Sequence, residues 1–226
     1  MNKSLLGASL IALALAAPAA YAHQAGDFIV RAGAATVDPH EDSGNLKLDG
    51  AKSSGKATVD SDTQLGLAFA YMVTDHVGIE LLAATPFQHQ VNVKGLDPSL
   101  DGKLADIKHL PPTLSVQYYP MDAGSKFQPY AGIGINYTLF FNEDLTSQRK
   151  AEGFSNMKMK NSVGLAGQLG MDYMLTDNLL FNASVWYVDI NTEAKIDGPS
   201  ALSVGQTKVD VDIDPWVYMV GLGYKF

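Results

Sequence analysis

The chain has no cysteine among its 226 residues. Disulfides are therefore excluded, and order must come from backbone pairing and packing. Basic residues are also few: 16 Lys and Arg stand against 24 Asp and Glu, for a formal net charge of −8. Because nucleic-acid phosphates require clustered Lys and Arg, we expect no nucleic-acid partner for so acidic a chain.

Long apolar runs are absent after residue 22, where no stretch approaches the roughly 20 residues that a membrane-spanning helix needs. Near the N-terminus, Lys3 precedes a short apolar run at 5–17. Ala20 and Ala22 then place small residues at the two positions that a signal peptidase reads. This pattern predicts a secretory signal peptide at 1–22, cleaved before His23, and one domain at 23–226.

The rest of the chain alternates between two unlike faces with a period of two. In residues 63–73, for example, Leu65, Leu67 and Phe69 alternate with Gly66 and Ala68. The same pattern recurs at 27–37, 77–85, 113–119, 130–142, 163–173, 181–187 and about 207–226. Such alternation predicts β-strands, and these segments make eight.

The predicted connections alternate in length, as they do in outer-membrane barrels. The long ones lie at about 38–62, 87–109, 143–161 and 191–206, and the short ones at 74–76, 120–127 and 175–178. We therefore predict an all-β fold, an eight-stranded antiparallel transmembrane β-barrel with long extracellular loops and short periplasmic turns.

The charges indicate which face meets lipid. Arg31, Glu80, Asp172 and Lys225 all lie opposite the apolar, aromatic face. Since a charge in hydrocarbon costs several kcal/mol, the apolar face is expected to point outward. A soluble barrel of the lipocalin type, with its apolar face inside, is the alternative. We also hypothesise that these four residues pair with one another and close the periplasmic half of the lumen.

The last strand ends in an aromatic residue. Tyr218, Val220, Leu222, Tyr224 and Phe226 share one face. A terminal Phe after alternating apolar residues resembles the signal read by the outer-membrane barrel assembly machinery, which makes Tyr224 and Phe226 the candidate assembly signal. An ordinary amphipathic strand is the alternative. We expect a monomer in a Gram-negative outer membrane, surrounded by its lipids and lipopolysaccharide.

Segments spread in order along the chain resemble the OmpW family. They are His23–Phe28, Thr63–Leu67, Glu80–Phe87, Leu110–Thr113, Gln128–Gly132, Val185–Ile190 and Asp214–Val217. The resemblance implies a narrow, largely apolar lumen and passage of small, often hydrophobic, molecules. It also implies sideways release through the wall into the bilayer. No cofactor is implied, and small amino acids are an alternative class of solute.

Three prolines lie near the outer ends of two neighbouring predicted strands. Pro86 is near the end of the third strand, and Pro111 and Pro112 open the fourth. Because proline has no N–H for a ladder, they predict an unzipped seam in the upper wall. Alternatively, they only mark where strands become loops. The resemblance associates Pro86 with the lateral opening.

Leu82 and Val163 are the candidates for a constriction of the lumen. Alternation points Leu82 inward, and the resemblance implies a role in narrowing the lumen there; simple core filling is the alternative. The family's partner is a Trp within Ser-Trp-Gly, where this chain has Ser162-Val163-Gly164. Val163 is smaller, and it needs a bulge to reach the lumen because alternation points it outward.

Enzymatic signatures are absent. The five histidines show no metal-site spacing, and neither a Gly-rich phosphate loop nor a Gly-x-Ser-x-Gly elbow occurs. A lipid A enzyme needs a His and a Ser near the outer rim; His89 or His109 with a loop serine is conceivable, but nothing in the sequence fixes such a pair. The predicted interfacial anchors are Trp186, Tyr187, Trp216 and Tyr218.

The barrel pattern together with the resemblance to the OmpW family implies a passive channel for small apolar solutes with lateral release, and not an enzyme. The rival interpretation is a structural or adhesive barrel with a plugged lumen and functional loops. A water-filled porin is disfavoured because eight strands leave little room for water.

Overall fold

The computed structural model describes residues 22–40, 42–43, 47–48, 51–52, 56–95, 101–199 and 205–226. Except for Ala22, the predicted signal peptide lies outside these residues. The elements are β1 (Phe28–Asp38), β2 (Asp42–Ser43), β3 (Lys47–Leu48), β4 (Ala51–Lys52), β5 (Lys56–Val59), β6 (Asp62–Met72), β7 (Val77–Ala84), β8 (Phe87–Lys94), β9 (Gly102–Leu110), β10 (Thr113–Tyr118), β11 (Phe127–Leu145), α1 (Ser147–Ala151), β12 (Ser155–Met159), β13 (Ser162–Met174), β14 (Leu179–Val188), β15 (Asn191–Asp197), β16 (Gln206–Asp212) and β17 (Trp216–Lys225). Among the described residues, no helix has the length and apolar character needed to cross a membrane.

Eight strands form a closed antiparallel barrel. In chain order they are β1, β6, β7, β10, β11, β13, β14 and β17, and each pairs with the next. β17 pairs back to β1 and closes the barrel, with Gly33 opposite Gly221. The predicted eight-stranded antiparallel barrel is confirmed.

The outward-facing side chains form an aliphatic band between two aromatic girdles. One girdle, beside the short turns, contains Phe28, Tyr71, Tyr118, Tyr173 and Tyr224. The other contains Tyr137, Tyr187, Trp216 and Tyr218. Between them lie Ile79, Leu81, Leu114, Val116, Ile133, Ile135, Leu165 and Leu169. This is the surface that a barrel presents to a bilayer, so the lipocalin alternative is wrong.

Trp186 is an exception among the predicted anchors. Its side chain is 1 % exposed and packs inside the barrel, whereas Tyr187 and Trp216 are on the outer surface with ring centroids 5.2 Å apart. The alternation of β14 explains the difference, because adjacent residues point to opposite faces. The expectation of an interfacial role for Trp186 was wrong.

Much of the predicted long loops consists of paired strand. The outer part of β11 pairs with β9, β9 with β8, and β8 with β5, so residues 87–109 are largely a hairpin and not a loop. Residues 191–206 likewise include β15 and the start of β16, which pair with each other. The exposed side chains Gln88 and Gln90 of β8 are polar, so this outer sheet stands beyond the lipid-facing band.

The interior is divided into two regions. The half towards the outer sheets is filled by a large apolar cluster that includes Val37, Leu82, Phe87, Trp186 and Val217. The half beside the short turns combines a smaller cluster around Ile29 and Met72 with buried charged and polar side chains. Such filling is expected, because an eight-stranded barrel is just wide enough for side chains to occupy it.

The glycine pair at the closing strands provides a test of the packing. A Cβ on Gly33 meets the Val220 carbonyl and the Gly221 Cα, whereas one on Gly167 meets nothing within 4 Å. We expect Gly33→Ala to lower the free energy of unfolding by about 1–3 kcal/mol, because backbone must shift. The matched control, Gly167→Ala, is expected to change it by less than about 0.5 kcal/mol. Urea titration of vesicle-folded protein, followed by tryptophan fluorescence, measures both; equal stabilities contradict the prediction.

Candidate functional site

The ladder between the third and fourth barrel strands is interrupted. β7 and β10 pair as far as Leu82 and Thr113, and β8 and β9 pair only from Phe87 and His109 onward. In between, residues 83–86 face residues 110–112 without pairing to them, and the register changes by one residue. We call these two stretches, which are not paired to each other, the seam.

The three prolines at which the sequence predicts an interruption lie in the seam. Pro86 is on one side, and Pro111 and Pro112 are on the other. The outer edge of each stretch stays attached to its other neighbour. Thr85 N donates to Leu65 O at 2.9 Å, and Tyr137 N donates to Pro112 O at 3.0 Å. The interruption is therefore bounded by paired strands on both sides. A lateral opening at these prolines stays a prediction.

An apolar cavity of about 20 Å³ lies in the lumen behind the seam. Its lining includes Leu82, Ala83 and Pro111, so it reaches residues on both sides of the seam. A second cavity of about 10 Å³ lies among the side chains of the outer lumen, and His109 lines both cavities. Each has room for little more than one water molecule.

The two candidates for a constriction have different positions. Leu82 is buried in the apolar cluster and lines the larger cavity. Val163 is 70 % exposed on the lipid-facing surface, because Ser162–Tyr173 pair with Phe127–Thr138 in an unbroken register. No bulge turns Val163 inward, so its predicted place in a constriction was wrong. The gating role of Leu82 stays a prediction.

Three of the four predicted charged residues meet inside the barrel near the short turns. Arg31 Nη1 is 2.7 Å from Glu80 Oε2. The same guanidinium binds Asp172 with two nitrogens, Nε at 3.0 Å from Oδ1 and Nη2 at 2.5 Å from Oδ2. All three side chains are at most 1 % exposed. Because they extend from β1, β7 and β13, their contacts span the lumen.

Neutral side chains complete the hydrogen bonds of this network. Gln168 donates to Glu80 at 2.8 Å, Tyr119 Oη accepts from Arg31 at 3.0 Å, and Asn182 donates to Asp172 at 2.8 Å. His23 Nε2 lies 2.9 Å from Asp172 Oδ2, and the ring is fully buried. Sequence reasoning missed His23, because it precedes β1 and no strand pattern places it inside.

Lys225 lies at the rim of this region. Its Nζ is 3.5 Å from Asp27 Oδ2, a pairing that the sequence did not predict. The nearby candidate assembly signal faces outward: Tyr224 and Phe226 are exposed, and their rings are 4.8 Å apart. Phe226 N donates to Phe28 O at 2.9 Å, which ties the C-terminus to the first strand. Recognition by assembly machinery stays a prediction.

β8 and β9 bring His89 and His109 together above the seam. Their Nε2 atoms are 2.7 Å apart, and His89 Nδ1 is hydrogen-bonded to Asp60 O. Burial, together with the nearby His89, lowers the pKa of His109 to about 3, and burial also lowers the pKa of His89. Both rings are therefore neutral near pH 7. Within the described part of the chain neither ring hydrogen-bonds a serine, so the His–Ser pair of a lipid A enzyme is not formed there.

Comparison with known proteins agrees with this architecture. The model of the OmpW family matches residues 24–226. Outer membrane protein W of Escherichia coli is 45 % identical over 99 % of this chain and 100 % of its own length. The Vibrio cholerae protein of the same name is 44 % identical over 100 % of both chains. The crystal structure of OprG from Pseudomonas aeruginosa is similar with a TM-score of 0.88 and 67 % identity, covering 90 % of this chain and 97 % of OprG.

The barrel, its lipid-facing band and these similarities agree with the resemblance found in the sequence. The chain therefore belongs to the OmpW family of Gram-negative outer-membrane proteins.

Proposed function

We propose that this barrel is a passive channel through which small apolar molecules enter the outer lumen and leave sideways into the outer membrane. The observation that carries the proposal is the seam, which lies in the wall beside an apolar cavity. No ladder hydrogen bond joins residues 83–86 to residues 110–112, so the wall can part there without breaking one. Elsewhere in the wall, parting strands in hydrocarbon costs several kcal/mol for each backbone group left unpaired.

The charge network supports sideways exit over passage straight through. Arg31, Glu80 and Asp172 extend across the lumen between the apolar cavity and the periplasmic end. A solute moving straight through has to separate buried charges, and an uncompensated buried charge costs about 3–5 kcal/mol. An apolar solute offers them no new partner, so the seam is the less costly exit.

The size of the cavities favours a second candidate, a structural or adhesive barrel with a plugged lumen. Volumes of about 20 Å³ and 10 Å³ hold no solute larger than water without movement of the surrounding side chains. Transport therefore requires the apolar cluster and the seam to move, and the plugged barrel requires neither to do so.

The first test replaces Pro86 and measures transfer of an apolar fluorescent probe into vesicles with lipopolysaccharide in the outer leaflet. We expect Pro86→Ala to slow transfer several-fold, because the new N–H allows the strands to pair across part of the seam. Pro120→Ala is the matched control, since Pro120 is exposed in a periplasmic turn.

Alanine uptake by the same vesicles separates the alternatives. If alanine enters, the probe does not, and Pro86→Ala has no effect, the route runs through the lumen and lateral release is wrong. If neither solute is transferred by wild type, the plugged barrel is the better description.

The second test concerns the charge network. Arg31→Met removes the only cation that the structure shows bound to both Glu80 and Asp172, and we expect it to lower the free energy of unfolding by about 3–5 kcal/mol. It is also expected to raise ion conductance across planar bilayers, because the barrier across the lumen is weakened. Lys103→Met is the control: its half-buried surface ion pair with Asp106 is worth about 0–1 kcal/mol. Unchanged conductance in stably folded Arg31→Met rules out the network as a barrier.

A further inference from the structure

The apolar outer lumen contains a buried polar atom that has no partner among the described residues, Nδ1 of His109. The side chain is only 5 % exposed, so bulk water does not satisfy this nitrogen. Leaving a buried polar group unpaired is unfavourable, and native proteins have few such groups. An unpaired group that lines a cavity is a candidate point of contact for a ligand.

The hydrogen bonds of the neighbouring His89 ring determine whether Nδ1 of His109 is a donor or an acceptor. The backbone oxygen of Asp60 only accepts hydrogen bonds, so Nδ1 of His89 carries a proton. Neutral His89 then has its lone pair on Nε2, which accepts a hydrogen bond from Nε2–H of His109. Neutral His109 consequently keeps its own lone pair on Nδ1. The free nitrogen is an acceptor and requires a donor from its ligand.

The position of His109 links this acceptor to the proposed route. Its ring lines both cavities, and the larger one is otherwise formed mostly by apolar side chains such as Leu82, Val188 and Val217. His109 is also the β9 member of the first residue pair beyond the seam. A solute approaching the seam from the outer lumen therefore passes an unpaired hydrogen-bond acceptor in largely apolar surroundings.

We propose that His109 Nδ1 selects apolar solutes that carry one neutral hydrogen-bond donor, such as the hydroxyl of a primary alkanol. This inference rests on the proposed channel function and specifies its solute class. An alkane offers no donor. A carboxylate offers none either and also brings a charge into an apolar cavity, which is costly. One neutral hydrogen bond corresponds to a preference of about 3- to 10-fold for an alkanol over an alkane of the same length.

Direct binding is tested on the wild-type protein in lipid vesicles with ¹⁵N-labelled histidine. Titration with 1-octanol is expected to shift the Nδ1 resonance of His109 as this nitrogen accepts a hydrogen bond, and n-octane is expected to leave it in place. Loss of the signal in His109→Gln assigns it. If the resonance does not shift with 1-octanol, or shifts equally with n-octane, the proposal is wrong whether or not transport occurs.

Selectivity is tested by transfer of 1-octanol and n-octane into the vesicles with lipopolysaccharide. His109→Phe keeps an aromatic ring beside Phe87 and Phe140 but removes the acceptor, so the octanol-to-octane ratio is expected to fall 3- to 10-fold towards that of protein-free vesicles. His109→Gln retains an acceptor oxygen and should keep most of the preference. His76→Phe is the control, because His76 Nδ1 binds the Tyr119 carbonyl at a periplasmic turn, far from the cavity.

The outcomes separate this inference from the channel function. If n-octane is transferred but the ratio is the same in wild type and His109→Phe, the inference is wrong and the channel stands. If the wild type transfers neither compound, the channel function is wrong, while the ¹⁵N titration still decides whether His109 binds a donor. If His109→Phe fails to fold, the ¹⁵N titration of the wild type still tests whether His109 Nδ1 accepts a hydrogen bond from an alkanol.

Discussion

The need to pair every backbone N–H and C=O in a medium without water governs the structure of this protein. Closure of β17 onto β1 satisfies it by leaving no free edge among the barrel strands. The seam is compatible with this constraint because of its residues. Pro86, Pro111 and Pro112 have no N–H, so the interruption leaves fewer unpaired donors than it would with other residues. The same residues that weaken the ladder make its interruption tolerable.

Closure also determines the contents of the interior. With eight strands the lumen is only as wide as its side chains, so every inward residue needs a neighbour of matching chemistry. Charged groups therefore collect around Arg31, whose guanidinium binds Glu80 and Asp172 together, and apolar groups fill the outer half. An asymmetric interior results, with paired charges at the end beside the short turns and mostly apolar side chains at the other.

Strand positions could be predicted from sequence because the alternation of side chains is a local pattern. The faces could be predicted because charged side chains are excluded from a lipid-facing surface. Leu82 and Arg31 were placed inside on this basis, and Val163 was outward by the same rule, although the resemblance suggested a constriction there. Two features could not be predicted. His23 enters the lumen through a segment without periodicity, and the pairing of His89 with His109 depends on the register of β8 with β9. Residues 87–93 also alternate, but their exposed side chains are polar, as in a loop, and the sequence predicted a long connection there.

The pairing beyond the seam limits the size of any lateral exit. Because β8 and β9 pair again from Phe87 and His109, the third and fourth strands are joined both above and below the interruption. An opening at the seam would thus be a slot of fixed height and not a pair of strands splaying from a free end. Three to four residues at a rise of about 3.3 Å each give a slot of roughly 10–13 Å. An alkyl chain or a single ring can pass edge-on through such a slot, whereas a folded peptide or a bulky polar solute cannot pass unless the outer hairpin also unpairs.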